Sequence, residues 1–296
     1  MIVKKTLSHR IFDFCNGLFM IFLIALTVYP VLYVVFASLS DPKLLMGHTG
    51  FLFRPLGGVT LEGYKLAFRN PNVLIGYRNT IFYVVAGTFI NLALTSLGAY
   101  CVTRSYFKMK KLMLIMVTIT MFFSGGMIPM FTLIRSIGMY NTVWAILLPG
   151  AISSWNLILM KTFFQGIPGA LEEAAMIDGA SDWAIFTKVI LPLSKPIIAV
   201  MVLYYGVGRW NSWFDAMIYL NDANLQPLQL VLRSILVQNT PQPGMIADIQ
   251  STAEMAKVAE QLKYATIVVS SLPLLVMYPF FQKYFDKGIM VGSVKG

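Results

Sequence analysis

Residue types that usually carry out enzyme chemistry are few in this chain and lie far apart. His9 and His48 have no neighbours that could complete a metal site. Cys15 and Cys101 each fall near the inner end of a predicted apolar span, so we expect no disulfide. The chain contains no GxxxxGKS/T motif, and therefore no predicted loop that could cradle nucleotide phosphates. We predict no catalytic residue, no metal and no cofactor in this chain.

One acidic, polar stretch at 172–196 interrupts the long apolar runs, with the sequence EEAAMIDGASDWAIFTKVILPLSKP. Pro168 can open a helix there, and Glu172 and Glu173 follow in the next turn, where negative charge suits the helix dipole. Gly179 is a natural C-cap for this helix, because glycine adopts the left-handed conformation without strain. The stretch therefore predicts a short acidic helix that ends at a glycine.

A second helix can begin directly after that glycine, at Ser181 or Asp182, and should run until Pro192. Its apolar residues recur every three or four positions and should share one face. These residues are Trp183, Phe186, Val189 and Ile190. The whole unit is predicted to be a helix, a glycine elbow and a second helix. It docks on a partner, lies on the membrane surface or packs inside its own fold.

The most unusual ionisable residue within an apolar stretch is Arg209, in the sequence GRWNSWFD. If a helix begins near Pro196, its rise places Arg209 about 20 Å along the helix. A charge at that depth in a membrane is costly, so the side chain should face a partner or a watery cavity. The alternative is that Arg209 extends outward and pairs with Asp215 or with an acidic residue of a loop.

The composition indicates a membrane protein. Hydrophobic residues make up 57% of the chain and charged residues 12%, against about a quarter charged in a typical soluble domain. This excludes an ordinary soluble protein. The net charge of +10 comes from scattered lysines and arginines, without a basic run interleaved with aromatic residues. The charge therefore indicates orientation in a membrane and not nucleic-acid binding.

Six apolar stretches are long enough to cross a bilayer, which needs roughly 20 residues for each crossing. The first is too long for a signal peptide. All six should be helices, because each backbone group must be satisfied within its own segment. Basic residues are densest in the short segments on one side, which predicts that both termini are cytoplasmic. Over 1–296 we predict one transmembrane domain with spans near 12–39, 77–102, 111–134, 142–163, 196–220 and 263–285, a cytoplasmic loop at 164–195, and outer loops at 40–76 and 221–262.

Polar residues and helix breakers also occur within the predicted spans. Asn91, together with Thr95 and Ser96, either bonds neighbouring helices or lines a pore. The sequence Ser-Gly-Gly at 124–126, followed by Pro129, should loosen or kink the third span. The glycine pair serves either close helix packing or flexibility for alternating access.

Several of these residues resemble the signature of one protein family. Glu173-Ala174-Ala175, then Gly179, then Leu191-Pro192 resemble the EAA loop of ABC importer permeases, although Val189 stands where isoleucine is usual. The fuller string, with DGA and LPLxxP, is similar to the carbohydrate-uptake branch, the maltose-permease-like family. The sequences MFFSGGMIPMF and IGMYNT within 121–142 look like the subgroup that accompanies a lipid-anchored binding protein and imports polysaccharide fragments.

The resemblance implies an all-α integral membrane protein with the type I permease fold of ABC importers. That fold has six transmembrane helices and a cytoplasmic EAA loop that acts as the coupling helix for an ATPase. By resemblance, the ATPase-coupling residues are Glu172, Glu173, Ala174, Ala175, Met176, Ile177, Asp178, Gly179, Ala180, Trp183 and Phe186. Which of the four large apolar ones faces the ATPase stays open. The candidates to border the translocation path are Asn91, Asn156, Arg209, Trp210, Asn211 and Trp213.

The resemblance also implies a function and a set of partners. The chain would be a permease subunit in the bacterial cytoplasmic membrane that moves oligosaccharides inward by alternating access, and a uronate carboxylate would suit Arg209. Its partners would be a second related permease, two ATPase subunits that hold ATP and Mg²⁺, and an extracytoplasmic solute-binding protein. The alternatives are an importer of another solute class and an ATP-independent secondary transporter. The latter would need intramembrane acids and, usually, an internal repeat.

Overall fold

The computed structural model describes residues 7–238 and 252–288, and within these ranges the regular structure is helical. The chain divides into two compact units, Met1–Pro71 with Ser234–Ser271 and Asn72–Arg233 with Leu272–Gly296. Residues 1–6, residues 239–251 of the second predicted outer loop and the tail 289–296 lie outside the described residues. The helices in chain order are α1 (Leu7–Ser38), α2 (Pro42–Met46), α3 (Glu62–Arg69), α4 (Pro71–Thr103), α5 (Lys110–Phe122), α6 (Met127–Ser136), α7 (Trp144–Leu147), α8 (Ser154–Gln165), α9 (Ala170–Ile177), α10 (Asp182–Ile185), α11 (Leu191–Leu193), α12 (Lys195–Trp210), α13 (Phe214–Tyr219), α14 (Leu228–Gln238) and α15 (Thr252–Gly288).

Three helices in the described ranges are long and apolar enough to cross a membrane. They are Leu7–Ser38, Pro71–Thr103 and Leu262–Phe280, the last of these within α15. Each coincides with a stretch that the sequence predicts, namely the first, the second and the sixth span. For these three stretches the predicted long apolar helix is therefore present, with the length that a membrane crossing requires.

The other three predicted spans are each divided into two shorter helices, α5 with α6, α7 with α8, and α12 with α13. Between α5 and α6, Gly126 has a φ of 85°, a conformation that favours glycine, so the break predicted for the third span is confirmed. For the fourth and fifth spans, the prediction of one continuous helix is wrong. Pro149 lies in the gap after α7, where it cannot donate a helical hydrogen bond. The crossing of a membrane by all six stretches stays a prediction.

A sharp bend separates the predicted cytoplasmic loop from the fifth span. The segments Asp182–Leu193 and Lys195–Trp210 meet at an angle of 82°. Ser194 lies at the bend and is fully buried. Pro196 follows in the first turn of α12, where its missing N–H costs no helical hydrogen bond. The bend therefore gives the loop and the span separate directions.

In the first unit, the end of α1 packs on the segment that follows it. Ala37 is buried in one cluster with Leu45 and Leu52. The backbone N–H of Leu52 donates to the hydroxyl of Tyr29 at 2.9 Å. Most of α1 before this point is exposed within the chain itself. Its apolar surface therefore faces lipid or another chain if α1 crosses a membrane.

In the second unit, a cluster of ten buried side chains lies where α4, α8 and α12 meet the 164–195 loop. Apolar burial of this kind is the main source of stability for a packed helix. The cluster therefore fixes the loop against three helices. Its members are Ala99, Tyr100, Met160, Phe164, Ile185, Phe186, Ile190, Ile197, Met201 and Tyr205.

Candidate functional site

The predicted glycine elbow is present at the end of α9. Gly179 has a φ of 77°, and its N–H donates to the carbonyl of Met176 at 3.0 Å. The N–H of Ala180 donates to the carbonyl of Ala175 at 2.9 Å. This pair of bonds is the Schellman motif, in which a left-handed residue satisfies the last helical carbonyls. The prediction that Gly179 caps the helix is confirmed, while α9 itself begins two residues after Pro168.

The second arm of the elbow begins as the sequence predicts and then departs from it. Ser181 is the N-cap of α10, and its hydroxyl accepts from the N–H of Ala184 at 3.3 Å. After α10 the chain forms a π-helical turn over Phe186–Ile190 and then α11. A uniform α-helix up to Pro192 is therefore wrong, because the wider turn interrupts the regular repeat of three or four residues.

The large apolar residues of the elbow divide between the surface and the core. Ile177 is 86% exposed, Trp183 is 63% exposed and Met176 is 44% exposed. Phe186 is only 3% exposed, and its ring lies 5.0 Å from that of Tyr100. The predicted shared face is present for Trp183 and Phe186, whose rings lie 5.7 Å apart, but this face runs from the surface at Trp183 into the core at Phe186. Of the four residues left open by the sequence, Phe186 packs within the chain, and three face outward. With the exposed acids Glu173 and Asp178, these three form what we call the elbow surface: Glu173, Met176, Ile177, Asp178 and Trp183.

Both arms of the elbow are attached to the end of α4 and the residues after it. Arg104 forms an ion pair with Glu172 of the first arm, and its guanidinium lies 4.4 Å from the centre of the Tyr100 ring. The hydroxyl of Tyr106 donates to the carboxylate of Asp182, in the second arm, at 2.6 Å. The hydroxyl of Tyr100 donates to the backbone carbonyl of Asp182 at 3.2 Å. We call these five residues the elbow clip.

The elbow clip is partly withdrawn from solvent, which strengthens its electrostatic contacts. The side chains of Arg104 and Glu172 are 8% and 14% exposed, so loss of either one leaves a nearly buried charge. Partial burial of the hydroxyl and its bond to Asp182 raise the pKa of Tyr106, which keeps the phenol protonated as a donor. These roles of Arg104, Tyr106 and Tyr100 were not predicted from the sequence. The basic residues after α4 were used only to predict which side of the membrane they face.

Arg209 occupies a bonded position inside the second unit. Its Nη2 donates to Asn91 Oδ1 at 3.1 Å and to the carbonyl of Leu147 at 3.0 Å, and its Nη1 donates to the carbonyl of Ile146. Those two carbonyls close the short helix α7, where a cation is favourable. These bonds hold the guanidinium inside the unit. The alternative prediction, in which Arg209 extends outward and pairs with Asp215, is therefore wrong. Gly87 lies against the guanidinium, since a Cβ there would be 3.0 Å from Nε.

Two polar residues of α4, Asn91 and Thr95, bond to other parts of the second unit. Asn91 is 1% exposed, accepts from Arg209 and donates from Nδ2 to the carbonyl of Gly150 at 3.2 Å. The hydroxyl of Thr95 lies 2.7 Å from that of Tyr205 in α12. Ser96 donates to the carbonyl of Leu92 in its own helix. The structure therefore supports the packing interpretation for Asn91 and Thr95 over pore lining.

The remaining candidates for the translocation path have separate surroundings. Trp210 is 5% exposed and its ring lies 6.3 Å from that of Tyr77. Asn211 is exposed and donates to the carbonyl of Val207 in the last turn of α12. The guanidinium of Arg233 lies 4.6 Å from the centre of the half-buried Trp213 ring. Asn156 is 7% exposed, in the first turn of α8. Of the predicted path residues, Asn91 and Arg209 are joined by a hydrogen bond.

Side chains of α4 also hold the start of the second predicted outer loop. Asn79 Nδ2 donates to the carbonyls of Asn224 and Gln226 at 2.7 and 3.0 Å. The hydroxyl of Tyr83 donates to the carbonyl of Leu225 at 2.9 Å. The hydroxyl of Thr80 accepts from the N–H of Leu228 at 2.8 Å. The loop therefore begins as an ordered segment, although residues 239–251 lie outside the described part.

The chain is similar to permeases of sugar-polymer transport systems. It is 41% identical over 295 residues to Protein LplC of Bacillus subtilis (strain 168), covering 99% of this chain and 98% of that protein. It is 38% identical over 291 residues to the polygalacturonan/rhamnogalacturonan transport system permease protein YtcP of the same organism, covering 98% of this chain and all of that protein. A crystal structure of a bacterial ABC transporter involved in the import of the acidic polysaccharide alginate contains a chain that superposes with a TM-score of 0.86. That chain is 30% identical, and the match covers 96% of this chain and 99% of that one.

A family profile matches the region that carries the elbow, the elbow clip and Arg209. It extends over residues 95–291, more than half of the chain, and describes the inner membrane components of binding-protein-dependent transport systems. The match agrees with the resemblance that the EAA stretch and the glycine elbow indicate. The chain therefore belongs to the family of binding-protein-dependent transport system inner membrane components.

Proposed function

We propose that this chain is a permease subunit of an ATP-driven ABC importer that moves oligosaccharides from an extracytoplasmic binding protein into the cytoplasm. The observation that carries this proposal is the elbow surface, where Ile177 and Trp183 are exposed on an element that the chain itself holds in place. Exposed apolar side chains on an ordered polar loop are typical of a docking site. The family to which the chain belongs supplies the class of transport system.

In the proposed topology six segments cross the cytoplasmic membrane, and the elbow and both termini face the cytoplasm. The crossings are α1, α4, α5 with α6, α7 with α8, α12 with α13, and α15. Broken helices are tolerated within a bilayer only where other protein groups satisfy the freed backbone. The bonds from Arg209 to the carbonyls of Ile146 and Leu147 supply such groups at the end of α7, which supports a membrane position for this broken helix.

The proposed work of the chain is mechanical. Closure of the ATPase dimer would move the elbow surface, which would dock as a helix in a groove of the ATPase. Burial of Met176, Ile177 and Trp183 would contribute about 2 kcal/mol for each side chain. The displacement would pass to α4 through the ion pair of Arg104 with Glu172 and to α12 through the bend at Ser194. These two connections would switch the spans between inward-facing and outward-facing states.

The proposed partners are a second related permease, two ATPase subunits and an extracytoplasmic solute-binding protein. ATP and Mg²⁺ would be held by the ATPase subunits, because this chain has no phosphate-binding loop. We propose acidic polysaccharide fragments as the substrate, since the similar proteins include a polygalacturonan/rhamnogalacturonan permease and an alginate importer. Arg209 does not support this choice, because its bonds to Asn91 and to backbone carbonyls engage the guanidinium.

The coupling role of the elbow is tested by Gly179→Val in the reconstituted complex. A β-branched residue is strained at a φ of 77°, so we expect the variant to insert and assemble but to lose substrate-stimulated ATPase activity and uptake. Gly169→Ala is the matched control, because a Cβ there meets no atom within 4 Å and φ is −60°. Full uptake by Gly179→Val would contradict the coupling role.

The substrate class is tested separately, with the same complex and its binding protein. We expect galacturonate or alginate oligosaccharides to stimulate ATPase activity more strongly than a neutral maltodextrin does. Stimulation by an unrelated solute alone would identify an importer of another solute class. Uptake by the purified chain without any ATPase subunit would instead identify a secondary transporter.

A further inference from the structure

A basic groove lies beside the start of α5, away from the elbow surface and from Arg209. It has a volume of about 630 Å³ and is formed by the residues between α4 and α5 together with one side of α5. Lys108, Lys110 and Lys111 line one end of it, and Leu114, Ile115 and Ile119 line the other. The groove therefore combines a cationic end with an apolar floor.

The cationic end carries three positive charges and no negative one. No aspartate or glutamate lines the groove. In the part of the chain that the structure describes, none of the three lysines forms an ion pair. Lys108 and Lys111 are exposed, and Lys110 is half-buried. Their positive charges are therefore not neutralised by a carboxylate of this chain and favour an anion from outside it.

The apolar floor has about the length of one leaflet of a membrane. Ile115 and Ile119 are four residues apart on one face of α5 and are 46% and 51% exposed. The helical rise separates Lys111 from Ile119 by about 12 Å, and half of the hydrocarbon core measures about 15 Å. A hydrocarbon chain with its anionic end at the lysines would follow this floor.

We propose that the groove binds an anionic phospholipid, with its phosphate at Lys108, Lys110 and Lys111 and an acyl chain along Leu114, Ile115 and Ile119. Basic pockets at the cytoplasmic ends of membrane helices are suited to anionic headgroups. The proposal rests on the proposed orientation, in which this end of α5 meets the cytoplasmic leaflet. A bound lipid would pin the short segment whose Arg104 and Tyr106 hold the elbow.

The test is native mass spectrometry of the full transporter complex, released from detergent with added phosphatidylglycerol or phosphatidylcholine. We expect the complex to retain phosphatidylglycerol preferentially. The double variant Lys108→Gln/Lys111→Gln should retain it on the order of tenfold less. The matched control is Lys43→Gln/Lys65→Gln, which removes two exposed lysines of α2 and α3 and should retain it normally. Equal retention by the two double variants, or equal retention of the two lipids, would overturn the proposal.

A second experiment tests the apolar floor without changing the charge of the groove. A photoreactive p-benzoylphenylalanine at position 115 should crosslink to phospholipid, and Ile115→Trp should lower phosphatidylglycerol retention by filling the groove. Crosslinking to another protein subunit would overturn the proposal, because a partner chain would then cover the floor. Retention is read in the assembled complex, so loss of lipid with intact assembly is distinguishable from failure of the importer function.

Discussion

Arg209 donates to Asn91 Oδ1 at 3.1 Å and thereby joins α12 to α4 beside the open end of α7. The same guanidinium closes the carbonyls of Ile146 and Leu147. One side chain thus holds three helices together. This arrangement explains how a charge can be kept inside an apolar bundle, because buried charged groups persist where hydrogen bonds surround them.

Replacement of Arg209 should affect transport of every substrate. We expect Arg209→Gln to lower the free energy of unfolding by about 3 kcal/mol, since charged hydrogen bonds to buried carbonyls are lost. Uptake of anionic and neutral oligosaccharides should fall together. Thermal unfolding of the purified complex and paired uptake assays measure the two effects, with Arg135→Gln in α6 as an exposed control. Selective loss of anionic uptake would instead make Arg209 a substrate receptor.

Gly87 should be required for the position of Arg209. A Cβ at Gly87 would lie 3.0 Å from Nε and 3.3 Å from Cδ of Arg209, so Gly87→Val should displace the guanidinium and reproduce part of the Arg209→Gln loss in thermal stability. The double variant should lose less than the sum of the two, because neighbouring sites are not additive. Gly208→Ala is the control, since its Cβ meets nothing within 4 Å. Strict additivity would show that Gly87 acts independently of Arg209.

Local signals made the elbow predictable from the sequence. Gly179 and Ser181 act on the backbone within a few residues of themselves, through the Schellman bonds and the N-cap bond to Ala184. Such caps depend on the residue type more than on the fold. The same holds for the break at Gly126, where a glycine pair interrupts an apolar run.

Long-range contacts were not predictable in the same way. Arg209 and Asn91 are 118 residues apart, and Arg209 and Ile146 are 63 residues apart. The acceptor at Ile146 is a backbone carbonyl, which any residue type would supply, so no sequence pattern marks it. The π-helical turn at Phe186–Ile190 also escaped prediction.

The ion pair of Arg104 with Glu172 should transmit force between the elbow and α4. We expect Arg104→Gln to destabilise the elbow by about 3 kcal/mol, because it leaves a nearly buried carboxylate without its partner. The ATPase should then hydrolyse ATP without a matching increase in uptake. The ratio of transported substrate to hydrolysed ATP measures this uncoupling.

Two further variants separate coupling from general damage to the fold. The exchange Arg104→Glu/Glu172→Arg should restore part of the ratio, since the pair is re-formed with reversed polarity. Lys263→Gln removes the Lys263–Glu260 contact, whose side chains are 38% and 29% exposed, and should change stability by less than about 1 kcal/mol. An unchanged ratio in Arg104→Gln would show that the ion pair serves assembly alone.

Trp183 and Phe186 should have opposite roles although they lie three residues apart in the second arm. Trp183 is 63% exposed and Phe186 is 3% exposed. We expect Trp183→Ala to lower the stability of the isolated chain by only about 1 kcal/mol, since it loses one ring contact with Phe186 at 5.7 Å. It should weaken ATPase binding by about 2 kcal/mol, or roughly 30-fold. Phe186→Ala should instead destabilise the chain by about 3–5 kcal/mol, because it leaves a cavity beside Tyr100 and Ile190. Titration of the ATPase in detergent and thermal unfolding without it distinguish the two, and a stable Phe186→Ala chain that fails to bind would place this residue on the ATPase interface.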